Sequence, residues 1–332
     1  MCVLRRPRRR QVLVGALPLL LSPIGSLAQQ RTKRVRIGVL VVPSASDYAT
    51  RTDAFRAGLR DLGYMEDNNA LILFRSADGQ FDRLPELAAD LVRQNVDVIV
   101  VAGTPAIRAA KQATRTIPIV IAAVGDAVAG GLIESLSQPG GNVTGGTYFA
   151  RELATKQLEL LKEAFPQAMR VAVIYNPSNP ASGPTRQALE SSARLLNLEL
   201  ETFEARGPRD FDGVFEAIAT KRYRTALIVD DPMTISNAKA LADLALKHRL
   251  ATGANFVEYA EAGGLMAYGV NLIEMWRRAA FFVDKVAKGA NAGDIAVERP
   301  TRFDLVVNRK TAAALDLKLA RTILLRADRI IE

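Results

Sequence analysis

The chain is poor in the side chains that most often carry catalysis. Among 332 residues there is one cysteine, Cys2, and one histidine, His248. A lone cysteine forms no internal disulfide and no zinc-thiolate cluster. A Ser-His-Asp triad would have to use His248, which falls late on a predicted helix between Lys247 and Arg249 and reads as surface. Any metal site would rest on carboxylates alone, and no EF-hand loop is present. No G-x-x-x-x-G-K-[ST] and no G-x-G-x-x-G follows a predicted strand, which argues against a nucleotide cofactor. Aromatics make up 6% of the residues, with a single tryptophan, Trp276. Beyond the N-terminus no uncharged apolar run reaches the ~20 residues of a membrane-spanning helix.

What is present begins at that N-terminus. Arg5, Arg6, Arg8, Arg9 and Arg10 precede an apolar run from Val12 to Ile24, and Ser26-Leu27-Ala28 then precedes Gln29-Gln30. A basic segment, a short apolar segment and small residues before a polar pair form a secretory signal, expected to span residues 1–28 with cleavage after Ala28. Arg9-Arg10 also fits a twin-arginine export signal, although Val12 stands where an aromatic is usual. An uncleaved anchor is the alternative. Cys2 lies before the apolar run, so it is not a lipid-anchor cysteine, and it would leave with the signal. Of 44 Lys and Arg, five leave with the signal; the remaining 39 against 35 Asp and Glu give +4 in place of +9. That charge does not call for nucleic acid. About 300 residues remain, room for two domains of ordinary size, expected in the periplasm.

Strand and helix signals then alternate. Val35 to Val42 is a continuous β-branched run, the mark of a strand buried on both faces. Further strands are expected at 71–74, 96–101 and 117–122, with helices at 50–62, at 84–92 and from Gly103-Thr104-Pro105 onward. Pro139-Gly140-Gly141-Asn142 breaks the pattern. It restarts with a helix at 153–164, strands at 171–175, 198–203 and 225–229, and helices at 184–196, 210–220 and about 235–248. A late strand at 265–268, an amphipathic helix at 275–288 and a strand at 303–307 follow. Alternating β and α implies parallel sheets with right-handed crossovers. The expected fold class is α/β, two Rossmann-like lobes joined by a hinge, with ligands beyond the carboxyl ends of the strands.

Small polar residues mark those ends. Ser44 and Ser46 follow the first strand. Thr104 opens a helix whose free N–H groups suit a carboxylate; it either caps that helix alone or contacts a ligand as well. Asp126 and Asp230 follow strands in the two halves and are either loop residues or partners for a ligand ammonium group. Asp231, followed by Pro232, reads as a helix cap, and adjacent aspartates point apart too strongly to act as an acid/base pair. Tyr148, Tyr175, Tyr259 and Tyr268 are either core or stacking surfaces for a ligand.

At these positions the chain resembles the periplasmic substrate-binding proteins of ABC transporters, the family with tryptophan- and tyrosine-binding members. The stretches that carry the resemblance are Arg36-Ile-Gly-Val-Leu40, Gly103-Thr-Pro-Ala106, Pro139-Gly-Gly-Asn-Val-Thr-Gly145, Lys156-Gln-Leu-Glu-Leu-Leu161, Tyr175-Asn-Pro177, Glu261-Ala-Gly-Gly-Leu-Met266 and Arg326-Ala-Asp328. In order, they span the chain beyond the signal. The resemblance implies a type I periplasmic-binding fold, with one lobe at 33–147 plus about 269–300 and the other at 148–268 plus about 301–332. It implies ligand contacts from Ser44, Thr104 and Asp126 in the first lobe, from Asn176, Asp230 and Tyr259 in the second, and from Asn271. In the family the aspartate at Asp126 is usually followed by proline; here Ala127 follows. The implied function is capture of a small carboxylate-bearing ligand, such as an amino acid, for an inner-membrane ABC permease, by a monomer or dimer without cofactor or metal. Two alternatives stand beside it: a sensor subunit for a membrane histidine kinase, and an exported hydrolase or lyase using Asp126 and Asp230.

Overall fold

The computed structural model describes residues 34–332. The expected signal, with Cys2 and the arginine pair, lies outside the described residues. Among the described residues no helix is long and apolar enough to cross a membrane.

The first half builds β1 (Val35–Val41), α1 (Ala49–Asp61), β2 (Ala70–Ser76), α2 (Leu84–Arg93), β3 (Val98–Ala102), α3 (Thr104–Ala113), β4 (Ile119–Ala123) and β5 (Val143–Gly145). The strands form one parallel sheet in the order β2-β1-β3-β4-β5. Both faces are covered, which is why its strands read as unbroken apolar runs. Ile37, Val39 and Val41 pack with Phe55 and Leu59 of α1 on one side, whereas Leu40 packs with Leu91 of α2 and Ile107 of α3 on the other.

The chain then crosses to a second sheet. Its elements are α4 (Ala150–Ala164), β6 (Arg170–Tyr175), α5 (Ser182–Leu195), β7 (Glu199–Glu204), α6 (Phe211–Thr220), β8 (Thr225–Ile228), α7 (Pro232–Ser236), α8 (Ala238–Lys247), β9 (Ala251–Phe256), α9 (Glu258–Glu261) and β10 (Met266–Val270). After β10 the chain returns as α10 (Leu272–Ala287), which packs on α1 and β4 of the first sheet. It crosses once more to β11 (Asp304–Asn308), α11 (Arg309–Ala314), α12 (Arg321–Arg326) and β12 (Arg329–Ile331). The second sheet runs β12-β11-β10-β9-β8-β6-β7. Read from β7, it repeats the order of the first sheet with two strands added. β11 runs antiparallel to β10, a departure from the all-parallel expectation.

Three chain segments therefore join the lobes. The first and third are tied together, since Thr147 N donates to Glu298 O at 2.9 Å and Glu298 N to Gly145 O at 2.9 Å. In each sheet the strand order reverses beside the first strand of the lobe, between β1 and β3 and between β6 and β8. Ligands bind at such switch points.

Candidate functional site

A cavity of about 150 Å³ lies between the lobes. Gly103, Thr104 and Asp126 line it from the first lobe, and Asn179, Asp230 and Pro232 from the second. Tyr148, Ala150 and Arg151 line it at the first crossing, and Tyr48, Leu272 and Trp276 close it with aromatic and aliphatic surface.

One wall is the start of α3. Its N-cap, Gly103, offers no side chain to the helix N–H groups, and Thr104 is buried with a hydroxyl that makes no hydrogen bond among the described residues. The helix therefore presents uncapped donors and the positive end of its dipole to the cavity. Gly103 sits at φ +79°, and a Cβ there would lie 2.9 Å from Pro232 Cγ on the opposite lobe. Only glycine fits both that backbone and that approach.

The facing wall carries Asp230. Its Oδ2 accepts from Tyr148 Oη at 2.8 Å and its Oδ1 from Asn255 Nδ2 at 2.7 Å. Asn255 is itself locked by accepting from Asp230 N at 3.0 Å. Burial raises the Asp230 carboxyl above the ordinary range, against the lowering effect of these hydrogen bonds. No basic side chain among the described residues pairs with it. Asp231, next in the chain, turns away and works locally. It caps α7 through Met233 N at 2.8 Å and accepts from Asn179 at 2.8 Å and Asn176 at 3.2 Å. Burial pushes Asp231 up to about 6.

Asp126 also lines the cavity, held from two sides: Arg151 Nη2 donates to Oδ2 at 2.8 Å and Ala129 N to Oδ1 at 2.9 Å. The alanine at position 127 has a consequence here. Ala127 N donates to the buried hydroxyl of Thr147 at 3.0 Å, and that hydroxyl donates to Val124 O at 3.1 Å. A proline has no N–H for this bond, so the loop carries a tether in place of a ring.

The structure thus brings Thr104, Asp126 and Asp230 together and places the other expected contacts elsewhere. Ser44 donates to Asp47 Oδ2 at 2.6 Å beyond β1, outside the cavity lining. Asn176 is buried beneath the cavity, holding Asp231. Tyr259 is fully buried, its hydroxyl 2.6 Å from Thr252 Oγ1 in the core beside Phe256. Asn271 caps α10 through Glu274 N at 3.1 Å and faces a separate hollow of about 470 Å³ with Arg278 and Arg299. Of the other tyrosines, Tyr175 bonds Glu204 and Tyr268 packs on Phe303, and neither lines the cavity. Trp276 is buried and meets Tyr48 edge-on at 5.3 Å, so it both packs and lines. Tyr48, Arg151, Asn179 and Asn255 were not expected. Asn255 is the last residue but one of β9, a strand whose small and polar residues gave no apolar signal.

Two doubly wound lobes, three crossings and a ligand-sized cavity between them define the type I periplasmic-binding fold. Among solved structures, a conserved domain protein from Vibrio cholerae superposes with TM-score 0.83 at 26% identity, covering 90% of this chain and 100% of that one. A Streptococcus pneumonia ABC domain solved in complex with L-Trp superposes at 0.81 and 23% identity, again over 90% and 100%. Residues 36–331 match the family model of the ABC transporter substrate binding protein, and the chain belongs to that family. The tyrosine-binding protein of Clostridioides difficile is 28% identical over 291 residues, 87% of this chain and 82% of that one.

Proposed function

We propose that this protein is an extracytoplasmic receptor that captures a zwitterionic α-amino acid with an aromatic side chain and delivers it to an inner-membrane ABC permease. The observation that carries this reading is the pairing of two unmet charges across one cavity. The uncapped start of α3 with the free Thr104 hydroxyl accepts a carboxylate. Asp230, half-buried and without a cation partner among the described residues, accepts an ammonium group. A cavity near 150 Å³ takes a group the size of a benzene ring, and Tyr48, Trp276 and Leu272 supply apolar wall for it. The L-Trp complex and the tyrosine-binding relative agree with that chemistry.

The mechanism is hinge closure. A ligand bridging α3 and Asp230 binds the closed state better than the open one, and that differential affinity shifts the population. We assign the lobes to 33–147 with about 269–300 and to 148–268 with about 301–332, the receptor to the periplasm as a monomer, and Thr104, Asp126 and Asp230 to ligand contact. A catalytic role does not fit the site: Asp126 is neutralised by Arg151, and His248 packs against Phe215 outside the cavity lining.

A thermal-shift screen against the amino acids and small organic acids tests the reading. A ligand at a hundred times its dissociation constant adds about 2.7 kcal/mol of stability. L-tyrosine or L-tryptophan should raise the midpoint, and the shift should vanish for the decarboxylated amine and for the acid without its amino group. A panel in which no amino acid shifts the midpoint overturns it.

A further inference from the structure

A buried ion pair joins the lobes outside the cavity. Arg51, in the first turn of α1, places Nη2 3.5 Å from Oε1 of Glu258, the first residue of α9. Arg51 is 6% exposed and the Glu258 side chain 15%. The pair is under-bonded, because Arg51 Nε and both Glu258 carboxylate oxygens lack a hydrogen-bond partner. Arg51 also lies over the ring of Tyr48, 5.1 Å from its centroid, and Tyr48 lines the cavity.

Charges of this kind are costly to bury unless they face each other. α1 belongs to the lobe of the first sheet, and α9 packs on β9, β10 and β11 of the second. Within either lobe alone, neither group has the other. When the lobes part, both regain water; when they meet, each is the other's ion-pair partner. From this placement we infer that Arg51 and Glu258 are positioning residues for the closed state: their pairing across the cleft sets how readily the lobes close on a ligand. The inference rests on the hinge-closure reading above and concerns residues that need not touch the ligand.

The arrangement makes an asymmetric prediction. Removing one partner leaves the other buried and uncompensated in the closed form only. Removing both leaves an apolar contact, which buried ion pairs often match in stability. Arg51→Met and Glu258→Gln should each weaken L-tyrosine or L-tryptophan binding, measured by calorimetry, by roughly ten- to a hundredfold. The ligand-free melting midpoint should change little, because the open form keeps both groups hydrated. The double variant Arg51→Met/Glu258→Met should return to within about threefold of the parent. Closure itself is read from distances between spin labels on exposed sites of the two lobes, Asp82→Cys and Leu195→Cys, in protein carrying Cys2→Ser. Each single variant should lose the short-distance population that the parent shows, with or without amino acid.

Single variants that bind and close like the parent overturn the inference, as does a double variant no better than the singles. A parent with no short-distance population in any condition overturns it too. If neither amino acid binds while the ligand-free parent shows a short-distance population that the single variants lose, the ligand assignment fails and the pair's role stands.

Discussion

Asp230 and Asp231 are adjacent and opposite in use, the first half-buried and the second buried. Asp231 has three donors and a helix to cap, so its carboxylate is structural. Asp230 has two donors and an open side toward the cavity. Replacing Asp230 with Asn keeps the shape and removes the charge, so amino-acid affinity should fall by about two orders of magnitude while the fold persists. Because burial raises the Asp230 carboxyl, parent affinity should decline on acidification at higher pH than for an ordinary carboxylate, and Asp230→Asn should flatten that decline; calorimetry at several pH values reads both. Asp231 makes a stability prediction of definite sign. Its carboxyl is raised from 3.8 to about 6, so the folded form holds its proton more tightly than the unfolded chain. That contribution is present below about 4 and is lost as pH rises through about 6. Over this window the parent should lose roughly 3 kcal/mol relative to Asp231→Asn, in denaturant unfolding at stepped pH. A difference that stays constant with pH would show that the three donors hold Asp231 ionised throughout.

At the level of elements, legibility followed apolar density. β1, β3 and β4 are buried on both faces and were plain in the sequence as β-branched runs. α3 was plain because Gly103-Thr104-Pro105 is a helix start, and with it came Thr104. β9 was not: Ala251-Thr-Gly-Ala-Asn-Phe256 is wholly buried yet small and polar. The reason is close packing of α4, since a Cβ at Gly253 would lie 2.3 Å from Gln157 Nε2. Missing β9 hid Asn255, which orients Asp230, and left Tyr259 as a loop residue when it sits in α9 and packs back on β9. Ser44 lies outside the cavity lining for a related reason: the end of a strand fixes a position, and neighbouring acceptors such as Asp47 decide where the side chain goes. The α4–β9 contact also carries a prediction. Gln157 is fully buried, and neither its amide nitrogen nor its oxygen has a hydrogen-bond partner. An unsatisfied buried amide costs about 1–3 kcal/mol, so Gln157→Met, close in shape and apolar, should stabilise the chain by about that amount in thermal unfolding. Destabilisation would mean that the amide serves a bound water.

For the whole molecule, folding and closure are separate equilibria, and Gly103 belongs to both. Its backbone, at φ +79° and ψ 142°, is strained for any residue with a Cβ, and its surface meets Pro232 of the other lobe. Gly103→Ala should therefore act twice. Backbone strain of about 1–3 kcal/mol lowers the melting midpoint whether or not the lobes are together. The new methyl, 2.9 Å from Pro232 Cγ, opposes closure and so weakens amino-acid binding further. A second change distinguishes the two effects. Pro232→Ala removes the ring that the methyl strikes but leaves the backbone at 103 unaltered. In the double variant the midpoint should stay low while the affinity recovers most of what Gly103→Ala lost, calorimetry and thermal unfolding being run on the same samples. Recovery of neither would mean that the start of α3, and not the meeting of the lobes, limits binding; recovery of affinity alone is the outcome that a two-lobe receptor closing at Gly103 and Pro232 requires.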